Sequence, residues 1–109
     1  MSAKHTDINF ETLTEIDKII HEPARLMILV TLYVVESADF LWVERHTGLS
    51  RGNLSFHMSK LEEAGYIEIK KEFVEKIPRT MLNITAEGRA ALFNYTQNLK
   101  IVLDRIDNP

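Results

Sequence analysis

A chain of 109 residues with no cysteine, a formal net charge of -3 and a hydrophobic share of 45% fits one globular domain. Those values exclude a disulfide framework and any thiolate metal site, and no apolar run approaches the roughly 20 residues of a membrane span. One core of this size covers only about 60–65% of the unfolded chain's surface, so it must either suffice or be extended by a partner.

In chain order, the opening MSAKHTDINF lacks the apolar segment of a signal peptide, so a cytoplasmic location is expected. From Ile8 to Ile20, Phe10, Leu13, Ile16 or Asp17, and Ile20 fall near helical spacing, with Thr6 or Asp7 able to cap. Pro23 suits the first turn of a second helix reaching about Glu36, because its missing N–H has no partner to lose there. That helix holds the longest apolar run, LMILVTLYVV, and is apolar nearly all round, which predicts the central position. Ser37-Ala38-Asp39 reads as a turn or a short strand. A short third helix runs from about Leu41 to His46, presenting Val43 and either Leu41 or Trp42 to the core. Tyr33 and Trp42 both read as packing residues, not ligand contacts.

Thr47-Gly48 ends the third helix, the glycine supplying a left-handed cap. Ser50 caps the fourth, in which Leu54, His57, Met58 and Leu61 form one inward stripe and which Gly65 closes. His57 reads as partly buried and satisfied by backbone. Helix, short turn with glycine, helix is the helix-turn-helix arrangement. After Gly65 the period drops to two. Ile67, Ile69 and Lys71 alternate with charged residues, as do Met81, Asn83 and Thr85 with Leu82 and Ile84. Two strands turning around Val74 to Pro78 are predicted, with Pro78 holding a tip that lacks glycine. Thr85-Ala86-Glu87-Gly88 starts a last helix from Ala86 to about Ile106, with Ala90, Phe93, Gln97, Leu99 or Lys100, and Leu103 near one stripe. The predicted fold is mainly α (α+β), a single domain over 1–109, with the helix-turn-helix at 41–65 and a β-hairpin at 66–85. Terminal helices at 8–20 and 86–106 carry more apolar surface than one small core can cover, which predicts dimerisation.

The acidity is unevenly spread. Residues 45–80 hold seven of the thirteen basic side chains but five of the sixteen acids. Within them, GLSRGNLSFHMSKLEEAGYI keeps acid off its helix until Glu62. With the inward stripe removed, the helix offers Arg51, Gly52, Asn53, Ser55, Phe56, Ser59 and Lys60, small polar and cationic groups suited to base edges and phosphates.

The run LSRGNLSFHMSKLEEAGYI, followed by IEIKK and PRTMLNITAEGRAAL, resembles the winged helix-turn-helix transcriptional regulators of the MarR/ArsR type over about residues 13 to 100. The resemblance implies a homodimer that sets one helix per subunit in successive major grooves, with the hairpin "wings" over the flanking minor grooves. Expected DNA contacts are Ser50, Arg51, Gly52, Asn53, Ser55, Phe56, Ser59 and Lys60, with Lys76 and Arg79 from the wing. Expected dimer contacts are Phe10, Leu13, Ile20, Phe93, Leu99, Val102, Leu103 and Ile106. The chain departs from the family pattern in its glycine-free wing tip and in Phe56, where relatives often carry a polar or basic side chain. His5, His21, His46 and His57 are scattered, so no metal site is expected, nor any cofactor or catalytic residue. The expected function is a homodimeric repressor that binds a pseudo-palindromic double-stranded operator; whether a small-molecule effector exists is left open. A winged helix used only for protein–protein interaction is the competing expectation, favoured by the net acidity, the acid-laced wing and Phe56.

Overall fold

The computed structural model describes residues 14–109. Of the first predicted helix, residues 8–13 lie outside that range, together with the expected dimer contacts Phe10 and Leu13. From Glu15 to Glu22 the chain turns and does not continue a helix to Ile20. Asp17 is the reason, because its Oδ1 accepts from Ile19 N at 2.8 Å and Ile20 N at 3.1 Å, a local bond that competes with helical pairing.

Helix α1 spans Pro23–Val35, with Pro23 in its first turn as predicted. Its cap is Glu22, whose Oε1 accepts from the backbone of Ala24 and, at 3.2 Å, of Arg25. Ile28, Leu29 and Leu32 are fully buried, yet Met27, Val30, Tyr33 and Val34 lie exposed. The all-round burial expected of this helix therefore fails on one face, and Tyr33 is a surface residue carrying the Arg89 guanidinium 5.0 Å above its ring. Ser37–Asp39 forms strand β1, not a turn. Helix α2 covers Phe40–Thr47, capped by Asp39 through Trp42 N at 2.7 Å, and Val43 is its core residue. Leu41 is exposed, and Trp42 is half-buried with its ring stacked 3.7 Å from that of His46.

Gly48, at φ +71°, ends α2, and helix α3 follows over Arg51–Glu63. Gly65, at φ +83°, reverses the chain into strand β2, Ile67–Val74. Strand β3 is Ile77–Ile84, and the sheet order is β1-β3-β2, all antiparallel. Ala38 pairs with Leu82, and Ile69 with Leu82 from the other side, so the buried Leu82 anchors the sheet centre. The hairpin tip is Glu75-Lys76, at φ +53° and +68°, in the two-residue turn whose twist matches the strands. Pro78 does not hold the turn. It stands within β3 opposite Phe73, a non-hydrogen-bonded position of the ladder where its missing N–H costs nothing.

Helix α4 covers Ala86–Asp107, capped by Thr85, whose Oγ1 accepts from Gly88 N at 2.9 Å and donates to Gly65 O at 2.6 Å. Gly88 is there because a Cβ would stand 2.1 Å from the Tyr66 carbonyl oxygen. The face that α4 turns inward runs through Gly88, Leu92 and Tyr95, with Leu99 and Val102 packed at its margin. The predicted stripe through Ala90, Phe93, Gln97 and Leu103 is the outer face instead. Ile20, Ile28, Leu29, Leu32, Val43, Leu54, Leu61 and Leu82 form the centre of the core, where α1, α2, α3 and the sheet meet.

Candidate nucleic-acid interface

Helix α3 buries Leu54, Met58 and Leu61 against the core, at the spacing of one helical face. The opposite face then has to look outward, and Arg51, Gly52, Asn53, Ser55, Phe56 and Ser59 are all exposed, with Lys60 half-exposed beside them. No acid occupies its first turn, so the positive end of the helix dipole is left uncompensated. Ser50 is the cap: its Oγ accepts from Asn53 N at 3.2 Å, which leaves the Asn53 amide side chain projecting to solvent.

The cations of this face lie against carboxylates. Arg51 Nη2 is 3.5 Å from Glu44 Oε1, and its guanidinium lies 5.7 Å from the Phe40 ring centroid. Arg79 Nη1 donates to Asp39 Oδ2 at 2.9 Å. Asp39 thus uses one oxygen to cap α2 and the other to tie the wing to the helix-turn-helix. Lys60 stands 4.0 Å from Glu63 and 5.6 Å from the Phe56 ring centroid. The Arg51 side chain remains 68% exposed, and such surface pairs contribute about 0–1 kcal/mol, so a phosphate can compete for it. Among the described residues Arg45, Lys71 and Lys76 have no carboxylate partner.

Between α2, α3 and β3 lies an open cleft of about 480 Å³, and Arg45, Arg51 and Arg79 converge on it with Ser55 and Thr80. Of the expected DNA contacts, the structure brings Arg51, Ser55 and Arg79 to this cleft, where Arg45, Asp39 and Thr80, not expected there, join them. Arg45 was already countable in the basic segment; only the fold carries it beside the wing. Phe56 stays 55% exposed, edge-on to His57 at 5.2 Å.

Behind the face, His57 is held by side chains and not by backbone. Arg25 Nη1 lies 3.0 Å from His57 Nδ1, and a guanidinium only donates, so Nδ1 accepts and Nε2 carries the proton facing Glu22 Oε2 at 3.4 Å. Arg25 Nε also donates to Ile19 O at 2.6 Å, so one guanidinium ties α3 to the segment before α1. Below the wing, Tyr66 donates a short bond to Asp17 Oδ2. Burial first, then that hydrogen bond and the charges of Asp17 and Glu87, push the Tyr66 hydroxyl up to about 12. Burial also raises Tyr95, whose hydroxyl meets His21 Nδ1 at 2.9 Å.

Of the expected dimer contacts, Phe93, Leu103 and Ile106 are exposed on α4, joined by Ile101. Leu99 and Val102 are partly taken up by the chain's own core. Ile20 is entirely buried and offers no surface, a correction that follows from the turn at Asp17 drawing it beneath α1. Among the described residues no group of three His, Asp or Glu side chains is placed to hold a metal, and no helix is long and apolar enough to cross a membrane.

A three-helix core, a helix-turn-helix whose second helix presents an acid-free end, and a hairpin beside it together define a winged helix. A model of the winged helix DNA-binding domain matches residues 24–103, and the chain belongs to that family. It is 38% identical over 78 residues to the uncharacterised protein MJ0432 of Methanocaldococcus jannaschii, covering 72% of this chain and 85% of that one. Among solved structures it is similar to the transcriptional regulator homologue protein of Pyrococcus horikoshii OT3, with a TM-score of 0.83 and 33% identity over 89% of this chain and 98% of that one. It also shares its fold with a MarR-family transcriptional regulator of Silicibacter pomeroyi, at a TM-score of 0.61 and 16% identity over 99% of this chain and 72% of that one. The expected winged-helix domain and fold are met.

Proposed function

We propose that this chain is a sequence-specific double-stranded DNA-binding transcriptional regulator that works in the cytoplasm as a homodimeric repressor, occluding a pseudo-palindromic operator. The observation that carries the reading is the convergence of Arg45, Arg51 and Arg79 on one cleft beside the acid-free N-terminus of α3. Docked end-on to the major groove, α3 brings Asn53, Ser55, Phe56 and Ser59 to base edges, while Arg51, Lys60 and the wing cations take phosphates. The exposed Phe93, Ile101, Leu103 and Ile106 of α4 support two-fold pairing. Such a pair would repeat α3 about 34 Å away, one turn of duplex.

The replacement Arg51→Ala with Lys60→Ala tests it. Both side chains are exposed and paired only at the surface, so helix content and melting should match the parent while retardation of duplexes selected from a random pool is lost. A double mutant that retards those duplexes as well as the parent does would remove α3 from the interface. A winged helix serving only protein contact is the second reading, favoured by the net charge of -3 and by Phe56. It requires that the parent bind no duplex even at low salt.

A further inference from the structure

The wing leaves the body of the protein for a long way. Every residue from Lys70 to Arg79 is exposed, and five residues beyond the Ile69–Leu82 pair, at about 3.3 Å each, carry the tip roughly 16 Å outward. A hairpin end in that position is ordinarily polar. Here it holds Phe73, Val74, Ile77 and Pro78, with Phe73 75% exposed. Alternation from the buried Leu82 through Thr80 places Pro78, and its cross-strand partner Phe73, on the sheet face turned toward the helices. On that face Lys71 flanks Phe73, and Lys76 forms the tip; neither has a carboxylate partner among the described residues. Ile77 and Pro78 also line the cleft that Arg51 and Ser55 of α3 share.

We infer that the wing end is an apolar wedge: Phe73, backed by Pro78, inserts between base pairs from the minor groove while α3 occupies the neighbouring major groove. The inference rests on the DNA-binding reading above and adds its mode. Phenylalanine, isoleucine and proline are the side chains that unstack a step and kink the duplex toward the major groove. The minor groove is about 7.5 Å deep, well within the reach of this hairpin. A protein partner fits less well, since stable association needs about 800 Å² on each side and four side chains at a hairpin end offer far less. The flanking Lys71 and Lys76 instead match phosphates on both rims of a groove. The wedge also assigns a source of specificity away from α3, a preference for an easily unstacked pyrimidine–purine step under each wing.

The test uses a duplex selected from a random pool, end-labelled for energy transfer and carrying 2-aminopurine at steps flanking the α3 sites. The parent should shorten the end-to-end distance, with a kink of roughly 20–90°, and brighten 2-aminopurine at one step per half-site. Phe73→Ala should lose both signals and about tenfold in affinity with an unchanged melting curve, and Phe73→Leu should restore much of each. If Phe73→Ala bends and brightens the duplex as the parent does, the wedge is wrong and DNA binding stands. If the parent binds no duplex, both readings fall. If Phe73→Ala instead converts the free protein to a smaller species in sedimentation, the patch joins copies of the chain and the wedge is overturned.

Discussion

Gly88→Ala sets two physical effects against each other with opposite signs. Judged by helix propensity alone, alanine in α4 should stabilise by up to about 1 kcal/mol and raise the melting temperature by roughly 4–8 °C. The packing says otherwise. The new Cβ would sit 2.1 Å from the Tyr66 carbonyl oxygen and 2.9 Å from its carbon, with Ile84 Cγ1 at 3.1 Å, so α4 and the Tyr66 backbone must part by about 1 Å. That carbonyl accepts from Thr85 N at 3.0 Å, and the bond is worth about 1 kcal/mol. Forcing the repacking costs roughly 1–3 kcal/mol more. Net of the propensity gain, the loss is about 2 kcal/mol, and the melting temperature should fall by roughly 8–16 °C. Circular dichroism at 222 nm reads it, with parent and variant at one protein concentration because any dimer makes melting concentration-dependent. An unchanged or higher melting temperature would show that the close approach of α4 to Tyr66 is not what Gly88 is for.

Tyr66 predicts a pH dependence. Its folded-state hydroxyl is raised to about 12 from 10.0, so its contribution is fully present below pH 10, declines as pH climbs toward 12 and is gone above that. The stability difference between the parent and Tyr66→Phe, from urea titrations at a series of pH values, should narrow through that window; a constant difference contradicts the assignment. At the tip, Glu75 holds φ +53°, where asparagine is more at ease, so Glu75→Asn should slow amide exchange across the hairpin by about threefold or more. If Arg51, Lys60 and Arg79 leave their carboxylates for phosphates beside Arg45, Lys71 and Lys76, a dimer neutralises about twelve phosphates, and log Kobs should fall against log salt with a slope of roughly -11. A slope of about -5 in a filter-binding series would mean that Arg51, Lys60 and Arg79 keep their carboxylates and only Arg45, Lys71 and Lys76 meet phosphate.

Most of the architecture is legible in the sequence, because its signals are local. Ser50 and Thr85 cap, Gly48 and Gly65 take positive φ, and the stripe of Leu54, Met58 and Leu61 faces inward, each a matter of a few neighbouring residues. What escaped the sequence depends on other elements. Asp17 ends one segment early because its own carboxylate offers a better local bond, and that single turn converts Ile20 from a surface to a core residue. The inward face of α4 was misassigned because Gly88, a residue with no side chain, is its closest contact, and a hydrophobic stripe cannot register a glycine. The same holds for the interface. α3 was legible as a face, but the cleft needs the β3 side of the wing beside α2, where Asp39 accepts from both Trp42 N and Arg79.

Those two hydrogen bonds accepted by Asp39 are how an acidic chain can carry this surface. An arginine without a partner on a mobile wing would sweep a wide volume and lose rotamer entropy on meeting a phosphate. Bonded to Asp39 at 2.9 Å, Arg79 is already aimed along the cleft beside Arg51, which Glu44 holds more loosely at 3.5 Å. The carboxylates reduce the net field, so non-specific attraction to any duplex is weaker, and they penalise registers in which a phosphate faces an acid. A duplex bound as proposed would present phosphates where these arginines point. Charge pairing therefore acts here as orientation and selectivity, and the acidity that counted against nucleic-acid binding in the composition is part of what would make such binding specific.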